Sequence, residues 1–238
     1  MWTGRDPGTS GGVTHSPRLI SVSRPRRPEA VVLVLHGGAS RRDDPRVSPT
    51  QLSVLRMVPV ARRVARAAPR RLAVFRLLNS TRGWDTRHTP EDDVHWAVDQ
   101  LRDRLGSDLP VGLVGHSLGG RAAILAAALP EVRSVVALNP WVYPGDGRID
   151  LAGRRVLIVH GTNDRIASPE HSATVARDLA RTAEVSYVRV AGAKHAMLRR
   201  GSQFERLAAG FTAATLLPDL TPQGVVARAL AGDSPIDV

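Results

Sequence analysis

Cysteine is absent and lysine is nearly so: Lys194 is the only one in 238 residues. Without cysteine there are no disulfides and no thiolate metal sites, and the redox compartment is left open. Aromatic residues make up only 4%, which leaves little for stacking on nucleic-acid bases. The net charge of +11 is therefore carried by arginine. Those arginines (Arg26, Arg62, Arg102, Arg133, Arg177 and Arg206 among them) are scattered along the chain and form no stripe. Compositional bias explains them better than a nucleic-acid partner, and no specific one is expected. Long hydrophobic runs are missing too. The longest, residues 122–129, is far below the roughly 20 residues needed to cross a bilayer, so no membrane partner is expected. Residues 1–17 are rich in Gly, Ser and Thr with no apolar h-region. They read as a disordered lead-in, and a cytoplasmic location follows as the expectation. No His, Asp or Glu cluster has metal-ligand spacing, so no metal is expected, and no glycine-rich phosphate loop occurs.

What is present is 42% apolar residues, enough for one sizeable core. Apolar β-branched runs alternate with helical patterns. Strands are predicted at 18–23, 30–35, 72–78, 111–116, 133–138, 155–160 and 185–190. Helices are predicted at 49–68 with a kink at Pro59, at 89–105 with Thr89 as N-cap, at 121–129, at 168–182 and at 202–217. This alternation predicts an α/β fold: a doubly wound, mostly parallel sheet of about seven strands with helices on both faces. One domain over 18–217 is expected, with 218–238 as a tail or short helix.

The most informative stretch is Val111-Gly112-Leu113-Val114-Gly115-His116-Ser117-Leu118-Gly119-Gly120. A buried strand runs into Gly-x-Ser-x-Gly and then a helix, the context of a nucleophile elbow. The turn strains the serine, and the flanking glycines remove side chains that would collide with strand and helix. The N–H of Leu118, at the start of the helix, suits a negative oxygen. A serine hydroxyl needs a base, and a histidine base needs a carboxylate to fix its tautomer. The order Ser117, Asp164, His195 is the one expected after such an elbow. Asp146, Asp150 and Asp178 compete with Asp164, but two precede the strand and one lies in a helix; Asp164 can also act simply as a helix cap. His36, His88, His95, His116, His160 and His171 compete with His195, which alone follows both the last strand and the aspartate. His36-Gly37-Gly38 is either an ordinary turn or an oxyanion donor, with Gly38 supplying the N–H. Trp84, Trp141 and Tyr143 either line a substrate pocket or cover the core edge. Arg41, Arg42 and Arg82 face either an anionic substrate or solvent.

Four pieces together, His36-Gly37-Gly38, the elbow, His160-Gly161-Thr162-Asn163-Asp164-Arg165-Ile166-Ala167-Ser168-Pro169, and Gly192-Ala193-Lys194-His195, resemble the α/β-hydrolase superfamily over residues 18–217. The resemblance implies Ser117 as nucleophile, Asp164 as acid and His195 as base, with Gly38 and Leu118 as the oxyanion hole and no cofactor. It implies an ester or other acyl substrate of small size. With about seven strands, one of the family's usual N-terminal strands is missing. Residues 139–154 leave no room for a helical cap. The chain is thus more similar to small lidless members, such as dienelactone hydrolases and minimal carboxylesterases. Thioesterase, lactonase and amidase activities use the same residues, and a non-catalytic binding protein on this fold is the rival from another class.

Overall fold

Strand β2 (Ala30–Leu35) is buried at every position, as an unbroken Val/Leu run demands when both faces of a strand are covered. The computed structural model describes residues 16–38, 47–84, 88–106 and 108–238. Around β2 it assembles one sheet in the order β1-β3-β2-β4-β5-β6-β7-β8. The other strands are β1 (Arg18–Ser23), β3 (Leu72–Leu78), β4 (Val111–His116), β5 (Val132–Leu138), β6 (Arg155–Gly161), β7 (Glu184–Val190) and β8 (Ile236–Asp237). Only β1 runs antiparallel, to β3; every other pairing is parallel.

The alternation of side chains along the strands splits the core in two. Val32, Val34, Val114, Val136, Leu157 and Val159 face one side. There they meet α2 (Met57–Ala67), α6 (Gly201–Leu216) and α7 (Gly224–Leu230). Val31, Leu33, Leu113, Val135, Val156 and Ile158 face the other, against α3 (Thr89–Leu105), α4 (Leu118–Leu125) and α5 (Pro169–Leu179). Helix α3 buries Val94, Ala97, Val98 and Leu101, the i, i+3, i+4, i+7 spacing of one helical face. The doubly wound α/β architecture expected from the alternation is thus observed.

Several local expectations change. The sheet has eight strands, not about seven. The eighth comes from the C-terminal segment, where Ile236 pairs with Val188 and Asp237 with Arg189. Two residues are too few for a periodic signal. The helix expected over 49–68 breaks at Arg56 into α1 (Leu52–Leu55) and α2. Pro59 has no N–H to offer the Leu55 carbonyl, so the interruption sits one turn before the proline itself. The cap of α3 is His88 at φ 58°, not Thr89. The helix after the elbow starts at Leu118, three residues earlier than expected, and tightens to 3-10 geometry at Ala126–Ala128. Most of the lead-in, residues 1–15, lies outside the described residues, as do Arg41 and Arg42.

What matters for a site is the point where the winding reverses. The chain leaves β2 for β3 on one side and returns to β4 on the other. A crevice opens beyond the carboxyl ends of β2 and β4, where ligands sit in open α/β sheets. Nothing covers it from the β5–β6 connection: residues 139–154 hold one 3-10 turn, Pro144–Arg148, and no cap. Among the described residues no helix is long and apolar enough to cross a membrane.

Candidate active site

Ser117 stands at the end of β4 with φ 55° and ψ −121°, a strained conformation that costs about 1–3 kcal/mol outside glycine. The surroundings hold it there. Its N–H donates to the Leu138 carbonyl, and its own carbonyl accepts from Gly120, Arg121 and Trp141. A Cβ on Gly115 would lie 2.1 Å from the Gly119 carbonyl oxygen, so the elbow closes only with glycine at that position. Leu118 is the first residue of α4, where an N–H has no partner within the helix.

The Ser117 Oγ lies 2.9 Å from His195 Nε2, and His195 Nδ1 lies 2.8 Å from Asp164 Oδ2. Three residues far apart in sequence are thus joined in one hydrogen-bonded line. Asp164 is buried, and its other oxygen accepts from the N–H groups of Ile166 (2.8 Å) and Ala167 (3.0 Å). The aspartate is therefore both a cap and a partner of His195. Burial alone would raise its pKa. The neighbouring His160 ring and the hydrogen bonds from His195 and Ile166 outweigh this and hold the carboxyl well below the usual range.

The site opens into a cleft of about 540 Å³ lined by Gly37, Gly38, His116, Ser117, Trp141 and His195, together with residues of α1 and Arg56, Arg82 and Ile166. Gly38 is held against the loop after β3, where a Cβ would come within 2.1 Å of the Arg82 carbonyl. A larger hollow of about 790 Å³, between α2, α6 and α7, contains none of these residues. Of the three aromatic candidates only Trp141 lines the cleft. Trp84 and Tyr143 instead flank Arg121, whose guanidinium carbon is 4.3 Å and 4.8 Å from their ring centroids. Arg121 is also bound two-fold by Asp146, at 2.7 and 3.0 Å. The cation holds both rings through cation–π contacts.

A family model for the alpha/beta hydrolase fold matches residues 30–149, half of the chain. The chain belongs to the α/β-hydrolase fold family. No curated protein matches it in sequence. Among solved structures, Est1E from Butyrivibrio proteoclasticus with bound ferulic acid is similar at 15% identity and TM-score 0.63, covering 84% of this chain and 95% of that one. A lidless a/b serine hydrolase from Xanthomonas campestris, XC6422, is similar at 17% identity and TM-score 0.61, covering 87% and 97%. EstE1, a thermostable carboxylesterase cloned from a metagenomic library, is similar at 16% identity and TM-score 0.65, covering 85% and 90%. At such identities these likenesses establish the fold.

Around the hydrolase-fold elbow stand residues that sequence reasoning set aside. His160 Nε2 lies 3.2 Å from Asp164 Oδ2, the same oxygen that meets His195, with the His160 and Asp164 side chains fully buried. Its Nδ1 meets Ser172 Oγ at 2.8 Å. The spacing of four residues between His160 and Asp164 was the available signal. His116 is fully buried, and burial together with the nearby His195 pushes its pKa down to about 3. It is neutral, so the 2.9 Å contact of Nε2 with the His195 carbonyl fixes the proton on Nε2. Asn139 donates to the same carbonyl at 3.1 Å and accepts from Gly161 N–H at 2.8 Å. It ties the loop carrying His195 to the strand that leads to Asp164. His36 accepts from Asn79 N–H through Nε2 (3.2 Å), which leaves Nδ1 to donate to the Gly37 carbonyl (2.6 Å). Burial lowers its pKa, so it braces the glycine turn as a neutral ring.

Proposed function

We propose that this protein is a serine hydrolase of carboxylic esters that works through an acyl-enzyme on Ser117. The observation that carries the reading is the unbroken line from Ser117 Oγ through His195 to Asp164, at 2.9 and 2.8 Å. In this reading Ser117 attacks the acyl carbonyl while His195 Nε2 takes the hydroxyl proton. Asp164 keeps the Nδ1–H tautomer and stabilises the imidazolium. The tetrahedral oxyanion accepts from the N–H groups of Gly38 and Leu118, each worth on the order of 100- to 1,000-fold in turnover. His195 then returns the proton to the leaving alcohol, and the C–O bond to the alcohol breaks. Water, deprotonated by His195, attacks the acyl-enzyme, and the serine regains its proton as the acid departs.

Trp141 and the open cleft suit a small acyl substrate with loose selection. Thioesters, lactones and amides share the acyl step, and a panel of leaving groups separates them. The test is turnover of a short-chain p-nitrophenyl ester by purified protein. Ser117→Ala is expected to lose about 1,000-fold or more. Turnover by Ser117→Ala equal to wild type refutes the assignment of Ser117, whereas wild-type protein that neither turns over the ester nor takes up a fluorophosphonate label favours a binding protein on the hydrolase fold.

A further inference from the structure

The cleft that holds Ser117 and His195 is also lined by Arg56 and Arg82. Both are half-buried, and neither has an ion pair or side-chain hydrogen bond among the described residues. This sets them apart from Arg71, Arg102, Arg121, Arg155, Arg189 and Arg228, each of which lies 2.6–2.9 Å from a carboxylate oxygen. Arginine bias alone accounts for solvated arginines; Arg56 and Arg82 instead border the cleft that holds the reactive serine. The Nε of Arg56 is buried with no partner, and burial lowers the guanidinium's pKa. A buried guanidinium N–H without an acceptor is unfavourable, and an anion from outside removes the deficit. Its position is fixed by the helix break between α1 and α2. Its charge reaches the elbow, where it contributes to the lowered pKa of His116.

The backbone around Arg82 is anchored too. Ser80, two residues earlier, bonds the buried Asp93 through both its N–H (2.8 Å) and its Oγ (2.9 Å). The Arg82 carbonyl packs against Gly38. Among the described residues no acidic side chain lines the cleft. Asp164 lies behind His195 with its side chain fully buried and its oxygens already engaged.

We propose that Arg56 and Arg82 form an anion-recognition site in the cleft, selecting esters that carry a carboxylate near the scissile bond. The assignment rests on the serine-hydrolase reading for the word ester, and on the two arginines for the word carboxylate. Guanidinium groups match carboxylates in a planar, two-point geometry. The carboxylate sits either on the acyl side or on the leaving group, and two pairs of substrates separate these.

Purified protein is assayed with p-nitrophenyl butyrate and with mono-p-nitrophenyl glutarate, which share a leaving group and differ in acyl charge. Phenyl acetate and 4-carboxyphenyl acetate place the charge on the leaving group instead. The kcat/KM ratio of anionic to neutral partner is expected to reach about 10- to 100-fold in one pair, the value of one or two charge-assisted hydrogen bonds. In Arg56→Gln with Arg82→Gln that ratio falls to about one, while Arg66→Gln, outside the cleft, keeps the wild-type ratio. A ratio near one in wild type, or one that survives the double substitution, overturns the proposal and leaves the hydrolase reading standing. Calorimetric titration of Ser117→Ala protein with monomethyl glutarate and with 4-carboxyphenyl acetate tests binding without turnover. Binding of either, lost on substituting the two arginines, supports the site even if no ester is cleaved, in which case the hydrolase reading falls alone.

Discussion

Replacing Asp164 by asparagine exchanges one oxygen for an NH2, and the surrounding hydrogen bonds dictate how the new side chain sits. Oδ1 accepts from the N–H groups of Ile166 and Ala167 at 2.8 and 3.0 Å. The introduced amide must keep its oxygen there, because the flipped orientation would set its NH2 against two donors in a buried site. That flip strands two N–H groups, at about 1–3 kcal/mol each. The NH2 therefore faces His195 Nδ1, 2.8 Å from the carboxylate oxygen in the native protein, and His160 Nε2, 3.2 Å from the same oxygen. It can only donate, so Nδ1 becomes the acceptor and the ring proton moves to Nε2. Nε2 then offers a proton to Ser117 Oγ where it should take one. The expected loss is about 10,000-fold in kcat, the value of a wrongly held tautomer in such a relay, with KM nearly unchanged. Stability should fall by only about 1–3 kcal/mol, since one charged acceptor becomes neutral. Steady-state kinetics on a p-nitrophenyl ester and a urea melt read both. A folded Asp164→Asn protein within tenfold of wild-type kcat would show that Asp164 does not set the tautomer.

The same geometry sets three further outcomes. His116 keeps a folded pKa of about 3 against 6.5 when free, so between those values the unfolded chain takes up protons that the folded one refuses. Stability therefore falls as pH drops through that window, by a few kcal/mol. Asp164, lowered when folded, adds its own loss only below its unfolded value near 4. His116→Gln should flatten the slope of urea stability against pH between 6 and 4 (about the middle of the window), and an unchanged slope would contradict it. Gly115→Ala, whose Cβ would meet the Gly119 carbonyl at 2.1 Å, should melt far below wild type or fail to fold, whereas Gly145→Ala, with nothing within 4 Å, should melt as wild type does. Asp146→Ala leaves Arg121 without its carboxylate in a mostly buried setting. The cost of about 3–5 kcal/mol corresponds to a melting point lower by roughly 10 °C, read by calorimetry.

Local signals carried much of this molecule. The β2 and β4 runs, the glycines around Ser117 and the loops after β6 and β7 are each readable in a few consecutive residues. Strand ends in a parallel sheet share one edge, so Ser117, Asp164 and His195 were legible as neighbours before any distance was known. The rest depends on partners distant in sequence. Trp84 and Tyr143 flank Arg121, a contact between residues distant in sequence. Arg56 borders the cleft at the break between α1 and α2, and that break is not readable from local sequence. His160 resembled a buried strand-end residue until Asp164 turned back toward it. Strand β8 is two residues long and forms only because the last turn of chain lies beside β7.

The central claim is that the Ser117 hydroxyl is the activated nucleophile of a proton relay. Intact-protein mass spectrometry after exposure to a fluorophosphonate tests it most directly. The account predicts one adduct per chain, mapping to the peptide that contains Ser117, absent from Ser117→Ala and strongly slowed in Asp164→Asn. An adduct on another residue, or ester turnover by protein that takes up no label, would contradict it.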